Sequence, residues 1–467
     1  MPSIHRTLVR GVLATTLLAS TISTAFAATR DVDSLMPPLA NAQATSRSAT
    51  TNALSRVALR VESYDALVRR DPSIKASKAE VARMQHYLRN TYQGMTTNGT
   101  FVVGAETFDC VPIAQQPSLR GGGTVAAPPL GLRTSRSGTS AQRCAEGSVP
   151  FRRLTIDEIA AHRTLEDFLS KERPEAADDR HYYAHVAQTA PSNILGGGAG
   201  LNLWKPVVDN HTMSLLQIWL SGQSEANATQ TAEVGWQVQP GAWNTYDPTI
   251  FVYWTADGYS QTGCYNLGCT GFVQTASDLA LGSSIPSDRY SVKGGSQGIV
   301  NVSWQRNNDD GSWWLVLDGE AVGYLPGNLY GQGDLGRADG NRLMDAGGEI
   351  ADGGKPAAPM GSGEYADAGY RQAAFVTDLH YLDGNLAKQP VDLMSGNTWI
   401  NPTPHCYTLS LIGVNASDIP GGLPEGTSTT PNHEAGMSGT SFYLGGPGTA
   451  NADCQAANPS IASRSLR

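Results

Sequence analysis

The feature that most constrains the fold is a change of pattern near residue 180. After this point, short β-branched and aromatic runs are separated by Gly, Asn, Asp and Pro. Runs of this kind with turn residues between them are typical of all-β sandwiches and barrels. We expect strands at residues 214–220, 233–238, 250–255, 299–305 and 312–317. The sequence therefore predicts a mainly β protein whose main domain is a sandwich or a barrel.

The chain before residue 180 predicts helices instead. Ser77 and Glu80 have the spacing of a capping box, which opens a helix reaching about Tyr92. Thr155 and Glu158 form a second capping box, and the helix that follows carries Ile159, Leu165 and Leu169. Residues 114–149 are rich in Gly, Pro, Ser and Thr and read as a linker. A smaller, α-containing region therefore precedes the β domain.

The first 27 residues have the layout of a secretory signal peptide. Arg6 and Arg10 precede a mainly apolar run at 11–19, and Ala25-Phe26-Ala27 is a small-x-small cleavage site. The alternative is a short membrane anchor, but a span needs about 20 apolar residues. We expect a secreted or extracellular protein, periplasmic in transit, with no membrane attachment after cleavage. The predicted units are a signal peptide at 1–27, a front region at 28–175 and a β-rich main domain at 176–467.

The net charge of −9 is divided unevenly along the chain. Residues 28–170 hold 17 basic and 13 acidic side chains, whereas residues 171–467 hold 14 and 29. An acidic excess argues against a nucleic-acid partner. A basic front region docked on an acidic domain would be released in acid, when the carboxylates are protonated. Segment 171–180 is highly charged and reads as exposed.

The six cysteines predict disulfides, since an exported protein can form them. Six cysteines allow 15 pairings, and the simplest joins neighbours: Cys110–Cys144, Cys264–Cys269 and Cys406–Cys454. A zinc site is the competing interpretation, because His181 and His185 have ligand-like spacing. However, there is no CxxC motif, and no cysteine or third histidine lies close in sequence to this pair. We expect no metal and no cofactor.

A Gly-x-Ser-x-Gly string at 294–298 raises the possibility of a serine nucleophile. A nucleophile elbow needs a strand before it and a helix after it. Here the following residues alternate like a strand, so we expect a turn rather than a catalytic serine.

Acidic residues are better candidates for chemistry. The strand period of two puts Glu233, Gly235 and Gln237 on one face, opposite Val234, Trp236 and Val238. That face suits the floor of a groove approached by a peptide backbone, or simply the solvated outside of a sandwich. Glu349 follows two glycines, and two carboxylates can divide acid and base roles. The pattern alone does not select these two glutamates over Asp257, Glu320 or Asp345.

A set of motifs in constant order resembles the neprosin family of secreted glutamic prolyl endopeptidases. The motifs lie at residues 109–117, 233–240, 251–258, 262–274, 313–314, 322–326, 347–350, 361–363 and 442–448, followed by Cys454. The most specific is Thr-Gly-Cys-Tyr-Asn-Leu-Gly-Cys-Thr-Gly-Phe-Val-Gln at 262–274. One departure is Leu325, where the family usually has Trp.

This resemblance implies a mainly β, cofactor-free endopeptidase made as a zymogen, with a pro-region at 28–175 and an antiparallel β-sandwich peptidase domain at 176–467. It implies Glu233 and Glu349 as the catalytic residues. We expect cleavage within residues 150–182, which would remove the pro-region. The resemblance also implies cleavage of substrates after proline, and a pair that shares a proton predicts activity in acid. Candidate substrate-binding residues are Gln237, Trp236, Tyr253, Trp254 and Tyr259, although such aromatics are also typical of a sandwich core. The expected partners are proline-rich peptides or proteins and the chain's own pro-region as an inhibitor. A β-sandwich glycoside hydrolase or a carbohydrate-binding module is the alternative.

Overall fold

The computed structural model describes residues 63–134, 144–171, 180–189, 193–449, 451–452 and 454. The predicted signal peptide lies outside these residues, as does the predicted boundary between residues 175 and 176. Within them, no helix is both long enough and apolar enough to cross a bilayer.

The front region contains four α-helices and three strands among its described residues. They are Tyr64–Arg70 (α1), Lys78–Tyr92 (α2), Thr100–Val103 (β1), Glu106–Pro112 (β2), Ser148–Arg152 (β3), Ile156–Ala160 (α3) and Leu165–Leu169 (α4). The side chain of Ser77 accepts a hydrogen bond from the Glu80 N–H at 3.2 Å, as the capping box predicts. The second predicted helix is divided into α3 and α4, because Thr164 caps a new helix by accepting from the Asp167 N–H.

A three-stranded antiparallel sheet in the front region was not predicted from the sequence. Strands β1, β2 and β3 pair in that order, and β3 begins inside the stretch that read as a linker. Its partner, β2, lies more than thirty residues earlier, with Cys110 opposite Pro150. A local pattern carries no signal for such a distant pairing, since β-structure depends strongly on its neighbours.

The main domain contains sixteen strands and a short α-helix within the described residues, together with four 3₁₀ helices. The strands are His181–Thr189 (β4), Gly196–Asn202 (β5), Met213–Gln223 (β6), Thr229–Val238 (β7), Thr249–Thr255 (β8), Val273–Gln274 (β9), Ile299–Arg306 (β10), Trp313–Leu317 (β11), Glu320–Leu325 (β12), Leu343–Ala351 (β13), Ala374–Leu382 (β14), Lys388–Pro390 (β15), Thr398–Asn401 (β16), Thr408–Ile412 (β17), Thr427–Thr430 (β18) and Thr440–Gly445 (β19), and the helix is Pro240–Trp243 (α5). Strands lie at all five predicted runs. The turn at 294–298 leads into strand β10, as expected.

These strands form two sheets with almost entirely antiparallel pairing. One sheet has six strands in the order β16-β4-β13-β6-β7-β8. The other has ten strands in the order β18-β17-β19-β14-β5-β10-β11-β12-β9, with β15 paired to β14. Only β17 and β18 pair in parallel among the described strands. The prediction of a mainly β, antiparallel fold is therefore confirmed.

The hydrophobic core lies between the two sheets. Val234 and Trp236 of β7 face it from the six-stranded sheet, and Val302 and Trp304 of β10 face it from the other. All four are buried, and the indole N–H of Trp236 donates to the carbonyl of Asn202 at 3.2 Å. Because side chains alternate along a strand, Glu233 and Gln237 face the other side of the six-stranded sheet. That outer face holds the candidate site.

Three disulfides brace the fold, and each joins the neighbours expected from the sequence. They are Cys110–Cys144 in the front region and Cys264–Cys269 and Cys406–Cys454 in the main domain. The predicted pairing is confirmed.

Candidate active site

Glu233 and Glu349 lie two strands apart on the outer face of the six-stranded sheet. Glu233 is on β7 and Glu349 is on β13, with β6 between them. On β6, Gln217 pairs with Gly347 on one side and Gly235 on the other. The two glutamates therefore flank Gln217 diagonally, and the register alone brings three polar side chains together.

The two glycines beside Gln217 are required by the neighbouring strands. A Cβ on Gly235 would lie 2.1 Å from the carbonyl oxygen of Leu216, and one on Gly347 would lie 2.3 Å from that of Ala184. Real Cβ atoms do not approach this closely. The sequence suggested that the gap at Gly235 admits a substrate backbone, but strand packing already accounts for it.

Glu349 accepts hydrogen bonds from three neighbours on the sheet. The distances to its oxygens are 2.6 Å from His181 Nδ1, 3.2 Å from the Tyr183 hydroxyl and 3.2 Å from Gln217 Nε2. Burial alone would raise the pKa of this carboxyl. The ammonium of Lys171 and the hydrogen bond from His181 outweigh burial and hold the pKa of Glu349 well below its usual range. Glu349 is therefore ionised in this structure.

Glu233 has a different set of partners. One of its oxygens accepts from the Thr231 hydroxyl at 2.7 Å and from the Tyr259 hydroxyl at 2.8 Å. Thr231 lies two residues earlier on the same strand and so points to the same face. Both partners are neutral hydroxyls, whereas Glu349 contacts an imidazole.

Lys171 of the front region occupies the point on which the two glutamates converge. Its Nζ lies 2.6 Å from Glu233 Oε2, 2.7 Å from Glu349 Oε2 and 3.3 Å from Gln217 Oε1. Its backbone N–H also donates to the Tyr253 hydroxyl at 3.4 Å. The side chain is only 4% exposed. The expectation that segment 171–180 is exposed is therefore wrong at its first residue, because Lys171 finds two buried counter-charges.

The cleft around these residues encloses a cavity of about 260 Å³. Beyond the glutamates it is lined by His185, Trp219, Asp345 and Asn401. His185 Nδ1 lies 2.7 Å from Asp345 Oδ1, and its ring stacks near Trp219 with centroids 5.4 Å apart. The histidines that suggested zinc from their spacing therefore each contact a carboxylate. Within the described ranges, no group of three or more His, Cys, Asp or Glu is placed to hold a metal ion.

The structure shows which of the candidate acidic residues lie together, a choice that the sequence pattern alone does not make. Asp345 lies in the cleft, paired with His185. Asp257 caps the turn after β8, where it accepts from the backbone N–H of Thr262. Glu320 lies 3.9 Å from Arg133, outside the cleft lining. Of these candidates, Glu233 and Glu349 share one cation.

The predicted substrate-binding residues fall into two groups. Tyr259 reaches Glu233, and Tyr253 contacts Lys171, so both lie at the cleft. Trp236 and Trp254 are buried in the core between the sheets. Gln237 faces the cleft side but is fully buried, and its amide donates to Gln239 at 3.2 Å.

Several residues of the site are not among those predicted from the sequence. His181 and Tyr183 lie on one face of β4, and Gln217 lies on β6. The string His-Tyr-Tyr-Ala-His at 181–185 has the alternation that puts His181 and Tyr183 on one face. From the sequence alone, we interpret this string only as a possible metal site. Lys171 has no comparable signal, because nothing local marks it as buried.

Comparison with known proteins identifies the family. A sequence model of the family described as Neprosin matches residues 210–447, about half of the chain, and this range includes both glutamates. The chain belongs to the neprosin family. The family is one of glutamic peptidases, so the neprosin domain of this chain is a peptidase of that class.

Solved structures of glutamic peptidases are also similar to this chain. Scytalido-glutamic peptidase with a peptide-based transition-state analog is 13% identical, with 57% of this chain and 98% of that chain covered and a TM-score of 0.28. SCP-B, of the eqolisin family, in complex with the tripeptide Ala-Ile-His is 11% identical, with the same coverages and a TM-score of 0.27. At such TM-scores, neither match bears on the activity of this chain.

Proposed function

We propose that this neprosin-family chain is the zymogen of a secreted endopeptidase whose catalytic pair is Glu233 and Glu349. It hydrolyses peptide bonds in acid, preferentially after proline. The observation that carries the proposal is the convergence of both carboxylates on the single ammonium of Lys171. Both carboxylates lie within hydrogen-bond distance of one ammonium, so the same pair can bind one water and one carbonyl oxygen between them.

The hydrogen-bond partners favour Glu349 as the base and Glu233 as the acid. After Lys171 leaves, Glu349 keeps its bonds from His181, Tyr183 and Gln217, which stabilise a carboxylate. An imidazole is protonated in acid, so His181 supplies a cation beside Glu349. Glu233 keeps only neutral hydroxyl donors on one oxygen, which leaves the other free to carry a proton.

The reaction follows from these roles. Glu349 takes a proton from water as the oxygen attacks the scissile carbonyl carbon, while protonated Glu233 polarises the carbonyl oxygen. As the C–N bond breaks, Glu233 gives its proton to the leaving nitrogen. The pair then holds the proton taken from water, so it begins and ends the cycle with one proton shared between two carboxyls.

Lys171 supports the proposal of a zymogen. Its ammonium fills the position that the water and the carbonyl need, so the full chain cannot bind a substrate productively. The pKa of Glu349 is lowered while Lys171 is in place. This stabilisation is present above the pKa of the undocked carboxyl and is lost as pH falls towards the docked value. Acid therefore weakens the docking of the front region.

Proline preference and proline-rich substrates rest on the family resemblance. Tyr253 and Tyr259 present aromatic rings at the cleft, with centroids 6.1 Å apart. Rings of this kind pack well against the flat, apolar ring of proline. They offer the same surface to a sugar, which is why a glycoside hydrolase is the alternative to exclude.

The deciding experiment is an assay of the acid-treated full chain on a quenched peptide containing proline. We expect cleavage at acidic pH that serine reagents and chelators leave unchanged, with the new end placed after proline by mass spectrometry. Glu349→Gln abolishes cleavage, whereas Glu225→Gln, in the exposed turn between β6 and β7, is the matched control and keeps it. Cleavage of a β-glucan but of no peptide would overturn the proposal.

A further inference from the structure

A second cavity lies where the front region meets the neprosin domain. About 60 Å³ remains unfilled there, between Phe168 and Leu169 on one side and Trp243, Tyr265 and Leu267 on the other. The last three residues are buried in the full chain. Arg152 of the front region covers one of them, since its guanidinium lies 5.6 Å from the centre of the Trp243 ring. Loss of the front region would uncover an apolar wall.

We propose that this wall is a substrate subsite, which binds an apolar side chain of leucine or phenylalanine size in the active enzyme. In the full chain, Leu169 lines the cavity at this wall. The inference rests on the proposed function, since it deepens the specificity of the same cleft.

An unbroken row of aromatic rings connects the wall to the catalytic pair. The ring centroids of Trp243 and Tyr265 are 5.3 Å apart, those of Tyr265 and Tyr253 are 4.8 Å apart, and those of Tyr253 and Tyr259 are 6.1 Å apart. Tyr259 then donates to Glu233 at 2.8 Å. This row of rings links the wall to the catalytic cleft, although the two cavities share no lining residue within the described part of the full chain.

The front region shows how a peptide would use this surface. Ser170 follows the last residue of α4 and has an extended backbone, with φ −81° and ψ 143°. It joins Leu169, which lines the cavity at the wall, to Lys171, which contacts both glutamates. In an extended chain, side chains two residues apart are separated by roughly 7 Å. Of these two side chains, that of Lys171 lies at the glutamates and that of Leu169 lies at the apolar wall. A substrate whose backbone follows the same path would place a side chain at the wall.

Contacts within the neprosin domain hold the wall in shape, in addition to the hydrogen bond from the Tyr87 hydroxyl of the front region to the Gly268 carbonyl. The disulfide Cys264–Cys269 closes the loop that carries Tyr265 and Leu267. Asn266 ties the loop to β8 twice, since its N–H donates to the Val252 carbonyl at 2.9 Å and its side chain accepts from the Val252 N–H at 2.8 Å. The subsite is thus preformed, which lowers the cost of ordering it on binding.

The test compares matched peptides on the acid-treated full chain. Each quenched peptide keeps the proline and carries either Leu or Ser at one of the neighbouring positions. We expect kcat/KM to favour Leu by about tenfold or more at one position, because burial of a leucine side chain is worth a factor of this size. Leu267→Ala should reduce that ratio about threefold, while Val292→Ala, at an exposed site elsewhere, leaves it unchanged.

A second variant tests the subsite without altering the domain. Leu169→Ser removes the apolar side chain that faces the wall across this cavity, so the full chain should be processed in acid severalfold faster than wild type. Leu169→Phe should retain the wild-type rate. Two results would overturn the subsite while leaving the proposed function intact. One is a Leu/Ser ratio of kcat/KM near one at every position. The other is a ratio that Leu267→Ala does not change, together with processing of Leu169→Ser at the wild-type rate. If wild type cleaves none of the peptides, the proposed function fails and the subsite fails with it.

Discussion

Lys171 and Glu349 form an ion pair of 2.7 Å in which each side chain is only 4% exposed. A buried pair of this kind costs much to desolvate, and removal of one partner leaves an uncompensated charge. Glu233 is a second acid on the same ammonium at 2.6 Å. The residue that joins the front region to both glutamates is therefore also the residue that blocks the cleft in the proposed zymogen.

Lys171→Met should release the front region at higher pH than in wild type. Without the ammonium, two buried carboxylates face each other, and loss of a buried partner costs about 3–5 kcal/mol. Mass spectrometry of the full chain after incubation across a pH series measures the midpoint of processing. Lys171→Arg keeps the charge and serves as the control. A midpoint for Lys171→Met equal to that of wild type would show that the pair does not hold the front region.

The wild-type chain should be processed in acid and stay intact at neutral pH. The low pKa of Glu349 in the docked state means that docking is stabilised at neutral pH and loses this stabilisation as pH falls. Intact mass after equal incubation at both pH values checks the expectation. Equal processing in the two samples contradicts it.

Glu233→Gln and Glu349→Gln should both fold but lose activity to different extents. A glutamine at 349 cannot take a proton from water, so we expect a loss of several orders of magnitude in kcat. A glutamine at 233 still donates a hydrogen bond to the carbonyl oxygen, so the loss should lie near the lower end of the range of about 10²–10⁴ for a general acid. Steady-state kinetics on one peptide compare them. A more active Glu349→Gln would reverse the two roles.

His181→Asn should move the acidic limb of the pH profile to higher pH. His181 lies 2.6 Å from Glu349 and lowers its pKa, so removal of the imidazole raises that pKa. The base is then protonated at a higher pH, and kcat/KM falls earlier on acidification. A purely structural role for His181 would instead lower kcat/KM by one factor at all pH values. The profile of Tyr183→Phe, which removes a weaker donor at 3.2 Å, is the matched comparison.

The fold was largely readable from the sequence, because its signals are local. The period of two in 233–238 put Val234 and Trp236 in the core and Glu233 on the other face, as the structure has them. The capping residue Ser77 placed the start of helix α2. The three-stranded sheet of the front region was missed, since its register depends on residues distant in the chain.

The site was readable only in part. The sequence placed Glu233 and Gln237 on one face and, through the family motifs, singled out Glu349. It also put Trp236 and Trp254 forward as substrate-binding residues, but these lie in the core between the sheets. Both faces of β7 and β8 are buried in the full chain, so a hydrophobic pattern does not distinguish a core residue from a cleft residue.

The sequence by itself therefore determined the β-rich fold and the family, whereas it offered neighbour pairing of the cysteines only as the simplest of 15 arrangements. Tertiary structure alone decided that Lys171, 62 residues before Glu233 and 178 before Glu349, lies between them. The physical reason is that the burial of a charge depends on its counter-charges. These are brought together by strand register and by the docking of the front region, which no local pattern encodes.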